Sequence, residues 1–175
     1  MDFLEMAKTR YSARSYSDKK IEKEKLDKIL EAGRIAPTAV NFQPQKIIVV
    51  QSEEGLAKIA SAAKTYDPAA ALIVCADTDI SWKRRRYDNM DSGFIDASIV
   101  TTYMMLEARA LGVDSLWICA FNPDIIKKEF DLPENIVPVN ILELGYADCE
   151  PKASDRYDAE RKPLSETVFY EKLGS

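Results

Sequence analysis

The chain has 175 residues, 46% of them hydrophobic and 30% charged, which is enough for one domain with a sizeable core and argues against disorder for the bulk of the chain. It contains no histidine, and this excludes a Ser-His-Asp triad, a Cys-His nucleophile pair and a histidine-ligated metal. The net charge is −5, without the basic face that nucleic-acid binding requires.

Apolar periodicity predicts helices that alternate with short strands along the chain. The strands are indicated by β-branched or continuous apolar runs, and proline or glycine ends several of the helices. In chain order, the predicted elements are a helix over 3–9, an extended segment over 10–16, a helix over 21–35, a strand over 46–51, a helix over 53–64, a strand over 71–76, a helix over 91–111, a strand over 113–119, a helix over 122–130, a strand over 137–144 and a helix over 165–173.

Four of these features carry specific expectations. Asp2 and Glu5 have the spacing of a capping box, and Asn122 is the expected N-cap of its helix. The helix over 91–111 is apolar nearly all round, which places it in the core or at a subunit interface. The polar segment 149–163 must travel over a surface. The element order predicts a mixed α+β or three-layer α/β single domain, with about four strands and helices on both faces.

No compartment signal or membrane segment is recognisable in the sequence. The three cysteines, Cys75, Cys119 and Cys149, lack the spacing of a zinc site or a disulfide framework. The N-terminal residues lack the pattern of a signal peptide, and the longest apolar run, residues 98–106, is too short to cross a membrane. We therefore expect a cytoplasmic protein with reduced thiols, no metal, no membrane partner and no nucleic-acid partner.

Two polar patterns could bind a ligand. The glycines are too scattered for a G-x-G-x-x-G or phosphate-cradling loop, so side-chain cations would have to hold any phosphate. In an extended segment, Arg10, Ser12 and Arg14 point to one side and could converge on an anion, although two surface arginines would give the same pattern. Asn41 and Gln43 could form hydrogen bonds with the edge of a ring that carries carbonyl and N–H groups, or could belong to a capped turn.

Taken in order, these motifs resemble the nitroreductase-like family of FMN-dependent oxidoreductases. Arg10-x-Ser12-x-Arg14, Asn41-x-Gln43-Pro44, Asp96-Ala97, Leu144-Gly145-Tyr146 and Arg161-Lys162-Pro163-Leu164 carry the resemblance, which covers residues 3 to 172. It implies an α+β fold with three layers (α/β/α) and a mixed, mostly antiparallel sheet. It also implies one domain over 1–175, a homodimer with FMN at the interface, and a tail, 149–175, that wraps the partner subunit.

The resemblance also assigns roles by position. The expected FMN-binding residues are Arg10, Tyr11, Ser12, Arg14, Asn41, Gln43, Cys119, Ala120, Arg161 and Lys162. Arg161 would complete the phosphate site, and Asn41 and Gln43 would reach the ring from the other subunit. Phe42 and Phe121 are the expected lining of the substrate pocket. Ala120 replaces a glycine that is common in the family at the place where backbone approaches the flavin.

The expected activity is a ping-pong transfer of hydride from NADH or NADPH, through flavin N5, to a nitroaromatic, a quinone or a similar electron-poor acceptor. No protein side chain is expected to be catalytic, because FMN carries the chemistry. Two alternatives stay open: a dehalogenase or flavin-cleaving enzyme on the same scaffold, and a non-enzymatic FMN-binding or regulatory protein. The sequence leaves undecided the acceptor, the preferred donor, the role of the cluster Lys83–Arg86 and whether residues 77–90 form a lid.

Overall fold

The protein is organised around one four-stranded sheet, which we describe for residues 2–174 in a computed structural model. Each pair of neighbouring strands is antiparallel. The strands are β1 (Gln45–Val50), β2 (Ala70–Asp77), β3 (Asp114–Ile118) and β4 (Ile136–Gly145), and they lie in the order β1-β2-β4-β3. The helices are α1 (Phe3–Thr9), α2 (Lys23–Ile35), α3 (Glu53–Ala62), α4 (Gly93–Ala110), α5 (Pro123–Glu129) and α6 (Tyr157–Glu160).

Helices cover both faces of the sheet, because the side chains of the central strand β2 alternate between two cores. Leu72 packs in the core formed with α2 and α4, and Ile73 packs in the core formed with α3 and α5. Burial of both faces explains why β2 is a continuous apolar run in the sequence. The prediction of an α+β fold with three layers and helices on both faces is confirmed.

The N-terminal segment extends the sheet beyond its outer strand β3. Ser12 forms an isolated parallel bridge with Ser115, and the Ala13 N–H donates to the Ser115 carbonyl at 3.0 Å. Further along, Tyr16 pairs with Ala147 in the antiparallel sense. This short parallel contact makes the otherwise antiparallel sheet a mixed one, and it fixes the segment after α1 at the β3 edge.

Helix α4 is buried along one face and exposed along another. Val100 and Met104 are fully buried, whereas Phe94 is 54% exposed and Ile95 50% exposed. The sequence makes this helix apolar nearly all round, but a single chain buries only one of its faces. The apolar side chains of the other face remain exposed. No helix within residues 2–174 combines the length and the hydropathy that a membrane crossing requires.

Two local predictions are wrong at the chain ends. The Asp2 side chain makes no capping hydrogen bond, and Glu5 pairs with Lys8 at 3.1 Å instead. The helix expected over 165–173 is absent, and only a single 3-10 turn forms at Leu164–Glu166. This segment is exposed throughout, and a short helix is not stable without an apolar face to bury.

Candidate functional site

The N-terminal motif alternates strictly between the core and the surface. Tyr11 is buried with Ala13 in a small core, whereas Arg10 is half-buried and Ser12 and Arg14 are exposed. The three residues of the R-x-S-x-R pattern therefore share one side, as their spacing predicts. The Tyr11 side chain faces the core, so only its backbone is left for a ligand.

The arginines of this motif have no acidic partner. Among residues 2–174, no carboxylate lies within 4.0 Å of the guanidinium of Arg10 or Arg14. The neighbouring Arg109, by contrast, pairs with Asp114 at 3.0 Å and donates to the Thr9 hydroxyl at 2.8 Å. The Arg14 guanidinium makes one long contact, from Nη1 to the Ser12 carbonyl at 3.5 Å. Without a carboxylate partner, both guanidinium groups keep most of their N–H donors available for an anion.

The C-terminal segment contacts the backbone of the N-terminal motif and carries another cation close to it. The Tyr157 hydroxyl donates to the Arg10 carbonyl at 3.0 Å, and Arg156 donates to the same oxygen at 2.6 Å. The Arg161 guanidinium stacks on the Tyr157 ring, 4.9 Å from its centroid, and has no carboxylate partner in the described part of the chain. Lys162 differs, because it pairs with Glu166 at 3.8 Å.

The loop that carries Asn41 and Gln43 has an unusual backbone. Val40, Asn41 and Gln43 have φ angles of 54°, 57° and 53°, a left-handed conformation that disfavours side chains and persists only where the surroundings impose it. The buried carboxylate of Asp96 supplies one such constraint, since its Oδ1 accepts the Ala39 N–H at 2.8 Å. We call residues 38–44 the amide loop.

Side chains of the amide loop remain available to a ligand. The Gln43 N–H donates to the Thr38 hydroxyl at 3.0 Å, and the Gln43 amide donates to the Asn41 carbonyl at 3.2 Å. The side chains of Asn41, Phe42 and Gln43 are all exposed. The loop thus presents two amides and an aromatic ring on a backbone that hydrogen bonds hold in place.

The amide loop and the N-terminal motif lie at opposite edges of the sheet. The loop leads into β1, the motif borders β3, and the two strands between them place the edges about 14 Å apart. Within one chain, the structure does not bring Asn41, Phe42 or Gln43 to Arg10 and Arg14. This separation agrees with the expectation that the loop serves a site shared with a second subunit.

The end of β3 borders an open groove. Cys119 and Ala120 are exposed and Phe121 is half-buried, and the Trp117 indole N–H donates to the Cys119 sulfur at 3.2 Å. Phe121 pairs with Ala63 as an isolated bridge. The groove has a volume of about 730 Å³ and is lined by residues 60–64 and 120–123.

Residues 60–64 are a part of this groove that the sequence did not reveal. They were predicted as the end of a helix, but α3 ends at Ala62 because Ala63 pairs with Phe121 instead. Lys64 lines the groove and lies over the Tyr66 ring, 5.4 Å from its centroid. An alanine-rich helix end has no local pattern that indicates a ligand site, so only the folded chain shows it.

One buried carboxyl group lies on β4, close to Tyr66 and Tyr16. Glu143 is fully buried, its Oε1 accepts the Tyr66 N–H at 3.2 Å, and its Oε2 has no hydrogen-bond partner. The pKa of Glu143 is raised from its usual 4.5 to about 7, mainly because the group is buried; the hydrogen bond from the Tyr66 N–H lowers this pKa and the charge of nearby Asp67 raises it. Burial also raises the pKa of the Cys75 thiol to about 12, which leaves it unreactive.

Comparison with known proteins agrees with this architecture. A sequence profile of the nitroreductase family matches residues 7–66 and 61–146. A protein of Archaeoglobus fulgidus, provisionally named NADH dehydrogenase/NAD(P)H nitroreductase, is 36% identical over 90% of this chain and 94% of its own length.

Two solved structures share the fold over their whole length. A nitroreductase family protein from Clostridium difficile is 51% identical, with a TM-score of 0.97 over 99% of this chain and 100% of its own. A structure from Exiguobacterium sibiricum, provisionally described as a nitroreductase in complex with FMN, is 28% identical, with a TM-score of 0.79 over 98% of both chains. With its sequence matched over more than half its length and its fold matched throughout, the chain belongs to the nitroreductase family.

Proposed function

We propose that this protein is a homodimeric, FMN-dependent NAD(P)H oxidoreductase that reduces nitroaromatics, quinones or similar electron-poor acceptors in a ping-pong cycle. The observation that carries the proposal is that the guanidinium groups of Arg10, Arg14 and Arg161 have no carboxylate partner, while Tyr157 links the Arg161 guanidinium to the Arg10 backbone carbonyl. The Exiguobacterium relative, solved in complex with FMN, supports the cofactor. The Archaeoglobus relative supports the nicotinamide donor through its name.

The donor set fits a flavin mononucleotide. Guanidinium groups bind a phosphate in the bidentate manner and never lose their charge, which suits Arg10 and Arg161 to the phosphate end. Ser12 and Arg14, on the same side of the segment, would reach the ribityl chain and the ring. Cys119 and Ala120 are exposed at the end of β3, where the ring would lie against the chain.

The residues of the chain would orient the reactants rather than react. Bound in this cleft, FMN would supply hydride acceptance from a nicotinamide and hydride donation to the acceptor. Arg14, as a permanent cation, would stabilise negative charge on the ring, and Phe42 and Phe121 would line the acceptor pocket. The side-chain amides of Asn41 and Gln43 would form hydrogen bonds with the edge of the flavin ring from across a dimer interface.

The exposed apolar surface supports a dimer. Phe94 and Ile95 on α4 are half exposed, and Leu164 and Leu173 in the tail are 77% and 83% exposed. Apolar surface on this scale is typical of an interface between subunits. We propose that α4 packs against its copy and that residues 149–174 wrap the partner; position 175 of the expected tail lies outside the described residues. Ile95→Glu should then give a monomer that loses FMN, as measured by sedimentation and by the absorbance of the purified protein.

The visible spectrum of the purified protein tests the proposal most directly. It should show a flavin band that bleaches when NADH or NADPH is added without oxygen, and that returns when a quinone is added. A flavin band that neither nucleotide bleaches would favour a non-enzymatic FMN-binding protein. The absence of flavin after incubation with FMN would refute the proposed function as a whole.

A matched pair of variants tests the binding residues. The double variant Arg10→Ala with Arg14→Ala should lose most of its FMN during purification, because the phosphate and the ring lose their cations. Arg34→Ala is the control, since Arg34 is an exposed arginine that already pairs with Glu31 on α2. Full FMN retention in the double variant would show that another group binds the phosphate.

The cytoplasmic location remains a prediction.

A further inference from the structure

An ordered hairpin follows β2 and leads into α4. Lys83 and Asp91 form an isolated bridge, and the Arg84 N–H donates to the Met90 carbonyl at 2.9 Å. At the tip, the Tyr87 N–H donates to the Arg84 carbonyl at 3.1 Å. We call residues 83–91 the arginine hairpin.

The four cations of the arginine hairpin fall into two classes. Lys83 donates to the Thr78 carbonyl at 2.8 Å and lies 3.7 Å from Asp91, and the Arg84 Nε donates to the Asp88 carboxylate at 2.6 Å. Lys83 and Arg84 therefore hold the hairpin together.

Arg85 and Arg86 form the other class, because both are exposed at the tip and neither has a carboxylate partner within residues 2–174. The Arg86 guanidinium lies 5.9 Å from the centroid of the Tyr87 ring, which is itself 77% exposed. The tip thus presents two free positive charges beside an open aromatic ring, on a chain whose net charge is −5.

The base of the arginine hairpin is joined to the amide loop. The Ser92 N–H donates to the Trp82 carbonyl at 2.9 Å, and the Ser92 hydroxyl donates to Asp96 Oδ2 at 2.8 Å. The other oxygen of the same buried carboxylate accepts the Ala39 N–H of the amide loop at 2.8 Å. One side chain therefore links the base of the hairpin to the loop that we assign to the flavin cleft.

We propose that Arg85 and Arg86 bind the 2′-phosphate of NADPH and make NADPH the preferred donor, an inference that rests on the proposed function. The 2′-phosphate is the group that NADPH has and NADH lacks, and two guanidinium groups match a phosphate dianion in charge and in hydrogen-bonding geometry. The Tyr87 ring offers a face on which the adenine can stack. The net negative charge of the chain repels a nucleotide, so two exposed cations on this hairpin would favour its approach to this side of the molecule.

The test compares both donors in one pair of variants. In the holoenzyme Arg85→Ser with Arg86→Ser, kcat/KM for NADPH should fall about 10- to 100-fold, as expected when charge-assisted hydrogen bonds are lost, with kcat/KM for NADH unchanged. The control is Lys20→Ser with Lys28→Ser, which removes two exposed cations that also lack a carboxylate partner in the described chain. It should leave both values unchanged.

Nucleotide binding gives a readout that is independent of turnover. By calorimetry, adenosine 2′,5′-bisphosphate should bind the FMN-loaded wild type more tightly than 5′-AMP does, and the Arg85→Ser, Arg86→Ser variant should bind the two equally. An equal loss of activity with NADH and NADPH would overturn the proposal, because the arginines would then contact a group common to both donors. A protein that oxidises neither nucleotide would refute the proposed function itself, and equal use of both by wild type and variant would refute this inference alone.

Discussion

The buried carboxyl group of Glu143 should make the protein less stable as the pH rises from about 5.5 to 8. Glu143 and Gly145 face the same side of β4, where the Tyr16 ring lies against Gly145 and also experiences the charge of Glu143. Ionised Glu143 would receive the Tyr66 N–H on one oxygen and nothing on the other. The unfolded chain solvates the same carboxylate fully, so ionisation favours unfolding.

The sign and size of the effect follow from the two pKa values. The pKa of Glu143 is about 7 in the folded state and 4.5 in the unfolded state, so the folded protein holds its proton to higher pH. The stabilisation is complete below pH 4.5 and is lost as the pH rises to about 7. At about 1.36 kcal/mol per pH unit, the free energy of unfolding should fall by about 2 kcal/mol between pH 5.5 and pH 7 through this group alone.

Urea unfolding of the holoprotein, followed by tryptophan fluorescence at fixed protein and FMN concentrations, measures this effect. Glu143→Gln removes the ionisation and keeps an oxygen for the Tyr66 N–H. The stability of this variant relative to wild type should therefore rise by about 2 kcal/mol across the range. Glu24→Gln, a change at an exposed position on α2, is the control and should follow the wild-type pH dependence. If the free energies of unfolding of wild type and Glu143→Gln change equally with pH, the Glu143 carboxyl group does not titrate in this range and the reasoning is refuted.

Other shifted groups do not interfere in this pH range. The carboxyl groups of Glu22 and Asp88 have pKa values lowered to about 2 through hydrogen bonds from Tyr146 and Arg84, respectively. The Cys75 thiol has its pKa raised to about 12 by burial. These groups change charge outside the interval from pH 5.5 to pH 8, so the slope within it reports mainly on Glu143.

Three further substitutions probe the framework of the site. Gly145→Ala would place a Cβ atom 2.7 Å from the Tyr16 ring, so a thermal scan should show a loss of about 1–3 kcal/mol, and an unchanged Tm would contradict the packing. Asn122→Ala removes the oxygen that caps α5 and should lower stability by about 1 kcal/mol in urea, with Asn122→Asp retaining the cap. Asp96→Ala frees the Ala39 N–H and should reduce kcat/KM for the acceptor by about 10- to 100-fold through misplacement of the amide loop; recovery in Asp96→Asn would separate this effect from general unfolding.

Local patterns predicted most of the secondary structure because the signals act over a few residues. Spacing alone predicts the cap at Asn122 and the shared side of Arg10, Ser12 and Arg14, and the structure confirms both. The capping box at Asp2 failed because Glu5 found a competing partner in Lys8. The terminal helix failed because helix propensity without a buried face does not offset the entropy of ordering.

The sequence by itself determined which residue types could act: no histidine, guanidinium groups on one side of an extended segment, and amides before a buried strand. The tertiary structure decided how these parts are arranged. Tyr157 meets the Arg10 carbonyl across 147 positions of sequence, and Asp96 holds the amide loop across 57. The raised pKa of Glu143 likewise depends on what covers it. Contacts of this kind leave no local period in the chain, because they depend on which surfaces the packed sheet and helices bring together.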